Sequence, residues 1–193
     1  MYQQLLNYIN TYSTLPLTVA EEELIKAAFK PKKLRKKQYF LQEGDVCKYT
    51  AFIIKGAMRQ YSVDEKGVVH VVHFFIENYW ASDRESMILL SPSAFNIDAW
   101  EDTEILMITR AEMFDLMSKI SPLVEMIRLM DERNAIANQR RLNSTISSTA
   151  EKRYEEFASH HPQFIQRFPQ HLIASFLGIT KETLSRIRKQ AVK

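Results

Sequence analysis

The sequence predicts an α+β chain: an antiparallel β domain, then one long helix, then a pair of crossed helices. Three observations predict this. Short β-branched and aromatic runs, separated by turn residues, fill the first half. From Arg110 onward the apolar period becomes helical. The stretch ASFLGITKETLSRIRKQ, residues 174–190, combines a small residue, a glycine turn and a helix studded with cations.

The elements follow in order. The start is helical: Thr18-Val19-Ala20-Glu21 fits a capping box, Leu24, Ile25, Ala28 and Phe29 recur at helical spacing, and Pro31 ends the run. Strands are expected at Tyr39–Leu41, Tyr49–Ile54, Met58–Val63, Val68–Ile76, Asn96–Trp100 and Glu104–Thr109, with turns at Glu43-Gly44-Asp45, Lys55-Gly56 and Asp64–Gly67. Such a set argues for an antiparallel barrel or a sandwich. Ala111–Lys119 is one helix, and Pro122 opens the next. There Ile120, Leu123, Ile127 and Met130 step by three, four and three, and Asn134, Ala137 and Arg141 continue the seam. That seam could pack on the chain's own β domain or on a second copy, and Asn134, which resembles a register-setting polar position, favours the second copy. Ser148 or Thr149 caps the following helix, His160-His161-Pro162 ends it, and Phe164–Phe168 is a short connector to a helix opened by Pro169.

Length and composition set the bounds. The 193 residues suit one or two domains, and 46% hydrophobic with 25% charged residues is a globular composition. No apolar run approaches the roughly 20 residues of a membrane span, and MYQQLLNYIN has neither the basic start nor the apolar core of a signal peptide. Cys47 is the sole cysteine, so no intrachain disulfide is available. A cytoplasmic location without membrane contact is expected. The net charge of +3 is unevenly spread: residues 151–193 hold eight Lys or Arg against four acids, and the first 150 hold eighteen against nineteen. The positive excess therefore sits at the C-terminal end, where a polyanion would meet it.

Residues 170–187 read as two helices crossing steeply. Ala174 supplies the small contact residue, Gly178 the turn position open to positive φ, and Thr180 the cap of the second helix. Leu184 and Ile187 face inward with Leu172, Ile173 and Leu177. This is the spacing of a DNA-binding helix-turn-helix. Lys181, Glu182, Ser185, Arg186 and Lys189 then face outward. Arg186 has the reach for both acceptors of a guanine, and Glu182 can accept from a cytosine amino group. Lys181 and Lys189 can neutralise phosphates, and Thr180 and Thr183 can donate to them at the helix start.

These residues resemble the helix-turn-helix of the Crp/Fnr family of bacterial transcription regulators, in whose recognition helix a basic residue, Glu, Thr and a later Arg recur, as in Thr180–Ile187. Leu41–Asp45 followed by Phe52–Gly56 is similar to the first half of that family's cyclic-nucleotide-binding barrel. The resemblance implies a double-stranded β-helix or jelly-roll-like barrel for residues 1–120, a dimerisation helix at 121–145 and a DNA-binding domain at 146–193. It further implies a homodimer joined through Leu123, Ile127, Met130, Asn134 and Ala137, on palindromic double-stranded DNA, with an effector in the barrel; a contact with RNA polymerase is only an alternative, unsupported use for the basic run Lys32–Lys37. The segment that holds the cyclic phosphate in the family departs here: its Gly-Glu pair becomes Ala81-Ser82, and its Arg falls at or near Ser93. Arg84 would have to substitute. Cyclic AMP is therefore not expected as the ligand, and the effector is unknown. Tyr79, Trp80, Ala81, Ser82, Arg84, Ser93 and Phe95 are the residues that such a pocket would use, although plain core is the simpler reading for its aromatics.

Other chemistry is thin. His70 and His73, three apart on a strand, point to opposite faces and do not converge with Cys47, so neither metal nor haem is expected. No phosphate loop, nucleophile motif or shared-cleft carboxylate pair marks an enzyme. The basic run Lys32–Lys37 reads as a strand edge guarded by lysine. The rival to a DNA-binding regulator is a ligand-binding or protein-interaction module of the same fold whose helical tail no longer reads DNA.

Overall fold

A computed structural model of the protein describes residues 1–191. The last two residues of the expected segment 146–193 lie outside the described residues.

The chain opens with helices α1 (Tyr2–Thr11) and α2 (Val19–Ala28). The capping box of α2 is complete: Glu21 N donates to the Thr18 hydroxyl, and Thr18 N donates to the Glu21 carboxylate at 2.8 Å. Strands β1 (Lys30–Leu34), β2 (Tyr39–Leu41), β3 (Tyr49–Lys55), β4 (Met58–Val63), β5 (Val69–Phe75) and β6 (Trp80–Ala81) come next. A short helix, α3 (Arg84–Leu89), precedes β7 (Asn96–Ala99) and β8 (Thr103–Thr109). Gly56 turns the chain after β3 at φ +102, where an added Cβ would lie 2.6 Å from the Asp102 carbonyl, so no larger residue fits.

The strands make two four-stranded sheets, ordered β1-β8-β3-β6 and β2-β7-β4-β5. The sheets are jelly-roll-like and do not close into the expected barrel. Two strands at the ends of these orders are too short to carry a ladder from one sheet to the other: β6 has two residues and β2 three. The lysine-rich β1 is an outer strand, paired with β8 from Lys30 opposite Met107 to Leu34 opposite Thr103. Its Pro31 suits such an edge position.

Helices α4 (Arg110–Met117), α5 (Ser121–Ser147), α6 (Ala150–His160), α7 (Pro162–Arg167), α8 (Gln170–Leu177) and α9 (Lys181–Ala191) complete the described chain. The connector expected at Phe164–Phe168 falls largely within α7, because Pro162 sits in its first turn with φ already helical.

Two compact units result: Met1–Gln60 with Phe75–Glu132, and Tyr61–Phe74 with the residues from Arg133 onward. In the first unit β3 and β8 alternate between two clusters. Phe52, Leu106 and Ile108 join Leu5, Ile9, Ile25, Phe29, Leu116, Ile120 and Leu123 of the helices. Ala51, Ile53 and Ile105 join Leu34, Leu41, Met58, Ala81 and Ile97. The second unit is built on aromatic rings. Phe74, on the β4–β5 hairpin, has its ring centroid 4.1 Å from Phe168, 5.2 Å from Phe176 and 5.6 Å from Phe164.

Candidate nucleic-acid interface

Helices α8 and α9 are joined by the turn Gly178-Ile179-Thr180. Gly178 takes the left-handed conformation at φ 65 and ψ 37, and Ile179 N donates back to the Ala174 carbonyl at 3.0 Å. Ala174 is buried where the helices meet. Thr180 caps α9 by accepting from Thr183 N at 3.1 Å. The helix is therefore started and angled by residues the sequence singles out.

Its two faces differ sharply. Leu184 and Ile187 are buried at 0% and 4% exposure, beside Leu172, Ile173 and Leu177. Lys181, Glu182, Arg186 and Lys189 are exposed, and Ser185 and Thr183 are half-buried. With Gln190, the residues Lys181, Glu182, Ser185, Arg186 and Lys189 line an open depression of about 510 Å³. Gln190 was missed in the sequence; its place four residues after Arg186 puts it on the same face.

Of the residues expected to line an effector pocket, Trp80 and Ala81 lie in different clusters. Trp80 and Ala81 are neighbours on a strand and point to opposite sides. Trp80 packs on the helix side, with its ring 5.0 Å from Phe52 and 6.1 Å from Phe29, and Ala81 lies in the other cluster. Tyr79 is near Tyr12, and burial pushes its phenol up from the ordinary value. Arg84 is held by Asp131 of α5, with Nη2 donating to Oδ2 at 2.8 Å and Nη1 pairing with Oδ1. Ser93 is buried and donates to Asp83 Oδ2 at 2.6 Å, while Phe95 N donates to the Ser93 hydroxyl. Ser82 is half-buried. Asp83 and Asp131, which the sequence did not mark, are thus the acids that engage the two candidate anion-binding side chains. Asp83 also caps α3.

On α5, Leu123 is wholly buried in the chain's own core, and Ile127 and Met130 pack against the same cluster. Tyr8 donates to the Met130 sulfur at 2.8 Å. Asn134 and Ala137 are exposed. The exposed large apolar residues of α5 are Val124, Ile136, Leu142 and Ile146. His70 pairs with Asp64 at 2.9 Å, and among the described residues no group of three or more His, Cys, Asp or Glu is placed to hold a metal.

Residues 31–120 match the family model of the cyclic nucleotide-binding domain. The chain carries such a domain. No curated protein matches it in sequence. Among solved structures, FixK2 from Bradyrhizobium japonicum superposes with a TM-score of 0.73 at 16% identity, covering 84% of this chain and 83% of that one. The c-di-GMP responsive global regulator CLP of Xanthomonas campestris gives 0.68 at 13% identity, over 90% and 91% of the two chains. A Eubacterium rectale protein assigned to the Crp/Fnr family of transcriptional regulators gives 0.65 at 15% identity, over 90% and 83%. The fold is therefore that of the Crp/Fnr regulators, and it extends beyond the cyclic nucleotide-binding domain. Among the described residues no helix is long and apolar enough to cross a membrane.

Proposed function

We propose that the protein is a dimeric, sequence-specific DNA-binding transcription regulator, with α8 and α9 as its helix-turn-helix and with no use for cyclic AMP. The observation that carries this reading is the exposed face of α9. Lys181, Glu182, Arg186 and Lys189 are presented together, on a helix whose opposite face is locked into a core and whose entry is set by Gly178 and Thr180. A helix so held can enter a major groove as a rigid reader. Its cations meet phosphates, and Arg186 meets a base edge.

Dimerisation is supported by α5. Every residue from Glu132 to Arg140 is exposed, and a lone solvated helix gains little stability from its own hydrogen bonds. Its apolar positions Val124, Ala135, Leu142 and Ile146 fall within about 40° of one another at 3.6 residues per turn. A second copy would cover that line and set two readers about one DNA turn apart. The rejection of cyclic AMP is supported by Asp83: its carboxylate, 5% exposed, caps α3 and binds Ser93, so an incoming cyclic phosphate would face a negative charge.

Selection from a random DNA pool tests this reading. A palindromic site should emerge, with affinity falling steeply as salt rises. Arg186→Ala should relax preference at one position of each half-site, by about 1–3 kcal/mol. No enriched site, or unchanged preference in the variant, would count against it. Salt-insensitive behaviour without DNA binding would favour a protein-interaction module.

A further inference from the structure

Ser175 lies in the last turn of α8, and serine is a poorer helix former than alanine. A helical serine usually turns its hydroxyl to its own preceding turn. Here it does otherwise. Val71 N donates to Ser175 Oγ at 2.9 Å, and the same hydroxyl donates to the Val69 carbonyl at 2.8 Å. Val69 and Val71 belong to β5, the outer strand of its sheet, and positions two apart present their amide and carbonyl to the same edge. One side chain therefore meets the donor and the acceptor that a neighbouring strand would meet.

Two further contacts fasten the same pieces. Arg141 of α5 donates from Nη1 to the Val72 carbonyl, and its guanidinium lies 4.7 Å from the centre of the Phe176 ring, next to Ser175 in α8. Phe74, 2% exposed, sits among Phe164, Phe168 and Phe176. The hairpin tip Tyr61–Phe74 thus forms one compact unit with the helices that follow. Helix α8 in turn sets α9 through Ala174 and the turn at Gly178.

We propose that Ser175 is a positioning residue for DNA reading: it stands in for a missing strand on the edge of β5 and makes the hairpin tip a working part of the reading head. The inference rests on the DNA-binding function proposed above. Loss of the hydroxyl leaves the Val71 amide without its partner and frees α8 to shift, which misplaces α9 on the duplex.

The test uses the full chain, with amide exchange at Val71 followed by NMR and binding to the selected DNA site followed by anisotropy. Ser175→Ala should speed Val71 exchange and weaken DNA binding, each roughly 3- to 10-fold for one or two lost hydrogen bonds. Ser175→Thr, which keeps the hydroxyl, should restore both. Arg141→Met removes the second tether while leaving Ser175 in place and should weaken DNA binding in the same range. Unchanged Val71 exchange in Ser175→Ala would overturn the clamp. Faster exchange with unchanged DNA affinity would overturn the positioning role. A wild-type protein that binds no DNA would take the inference down with the function it rests on, and slow Val71 exchange would then show that only the DNA step had failed.

Discussion

The β domain and helix α9 treat polar side chains in opposite ways. In the β domain, groups that could greet an anionic ligand are already engaged by the chain itself. Arg84 is held by Asp131, Ser93 by Asp83, and Ser86 lies between Cys47 N, which donates to it, and the Ser91 carbonyl, to which it donates. On α9 the reverse holds: among the described residues Lys181, Arg186 and Lys189 enter no ion pair. Internally satisfied groups fix a shape, because leaving them unpaired in a low-dielectric interior is costly. Unpaired cations on a rigid face cost little in water and become valuable when phosphate arrives. One region is internally satisfied, and the other keeps its cations unpaired.

The contrast breaks most visibly if α5 has no second copy to cover its bare face. The double substitution Leu142→Asp with Ile146→Asp should yield a monomer in sedimentation and weaken binding to a full palindrome by roughly 10²- to 10⁴-fold, the advantage of linking two half-site readers. Leu123→Ala should act differently. It removes a side chain wholly buried in the chain's own core, so it should lower stability by about 2–5 kcal/mol and leave the dimer intact at low temperature. If Leu123→Ala instead dissociated a folded dimer, the two faces of α5 would have to be exchanged.

Helix α5 shows what a sequence can and cannot carry. The stripe Leu123, Ile127, Met130 is visible as a face that must be covered, but periodicity is blind to what covers it. Here the chain's own helices do. Local devices were far more legible. Thr18 and Glu21, Gly178 and Thr180 act within a few residues of themselves, and each is found in its expected geometry. The six-residue α3 has no apolar period to reveal it, and β1, with three lysines and a proline, lacks the composition of a strand. Its pairing with β8 comes from across the chain. The same is true of the candidate site: the outward face of α9 can be read from spacing, whereas the contacts that tie Asp83 to Ser93, Asp131 to Arg84 and Ser175 to β5 span 10, 47 and more than 100 positions.

A smaller effect probes the packed side of the comparison within the second unit. Burial, and secondarily the nearby Arg141, lowers the His73 pKa to about 4, and burial also lowers that of His161. Both imidazoles are therefore neutral when folded and take up a proton more readily when unfolded, near pH 6.5. The stability that this difference withholds is fully present above pH 6.5 and is lost as pH falls toward 4. For His73 the loss amounts to about 3 kcal/mol by pH 4. Urea unfolding at pH 7 and pH 4.5 should show it, and His73→Gln should flatten the dependence. Equal acid sensitivity in the variant would mean that His73 is not the group that titrates.

The smallest expected effect is no effect at all, and it bears on the internally satisfied side. Calorimetry with cyclic AMP should show no saturable heat into the millimolar range. Two costs stand against binding. The phosphate must come near a buried carboxylate, and Arg84 must leave Asp131 before any guanidinium can serve it. Asp83→Asn removes only the first cost: it keeps the shape while deleting the charge. If the variant binds cyclic AMP where the wild type does not, the Asp83 charge alone closes the site. If neither binds, both restraints matter, and adding Asp131→Ala to release Arg84 becomes the decisive variant. Micromolar binding by the wild type would show that these internal bonds yield to a ligand, and the β domain would then resemble α9 in waiting for a partner.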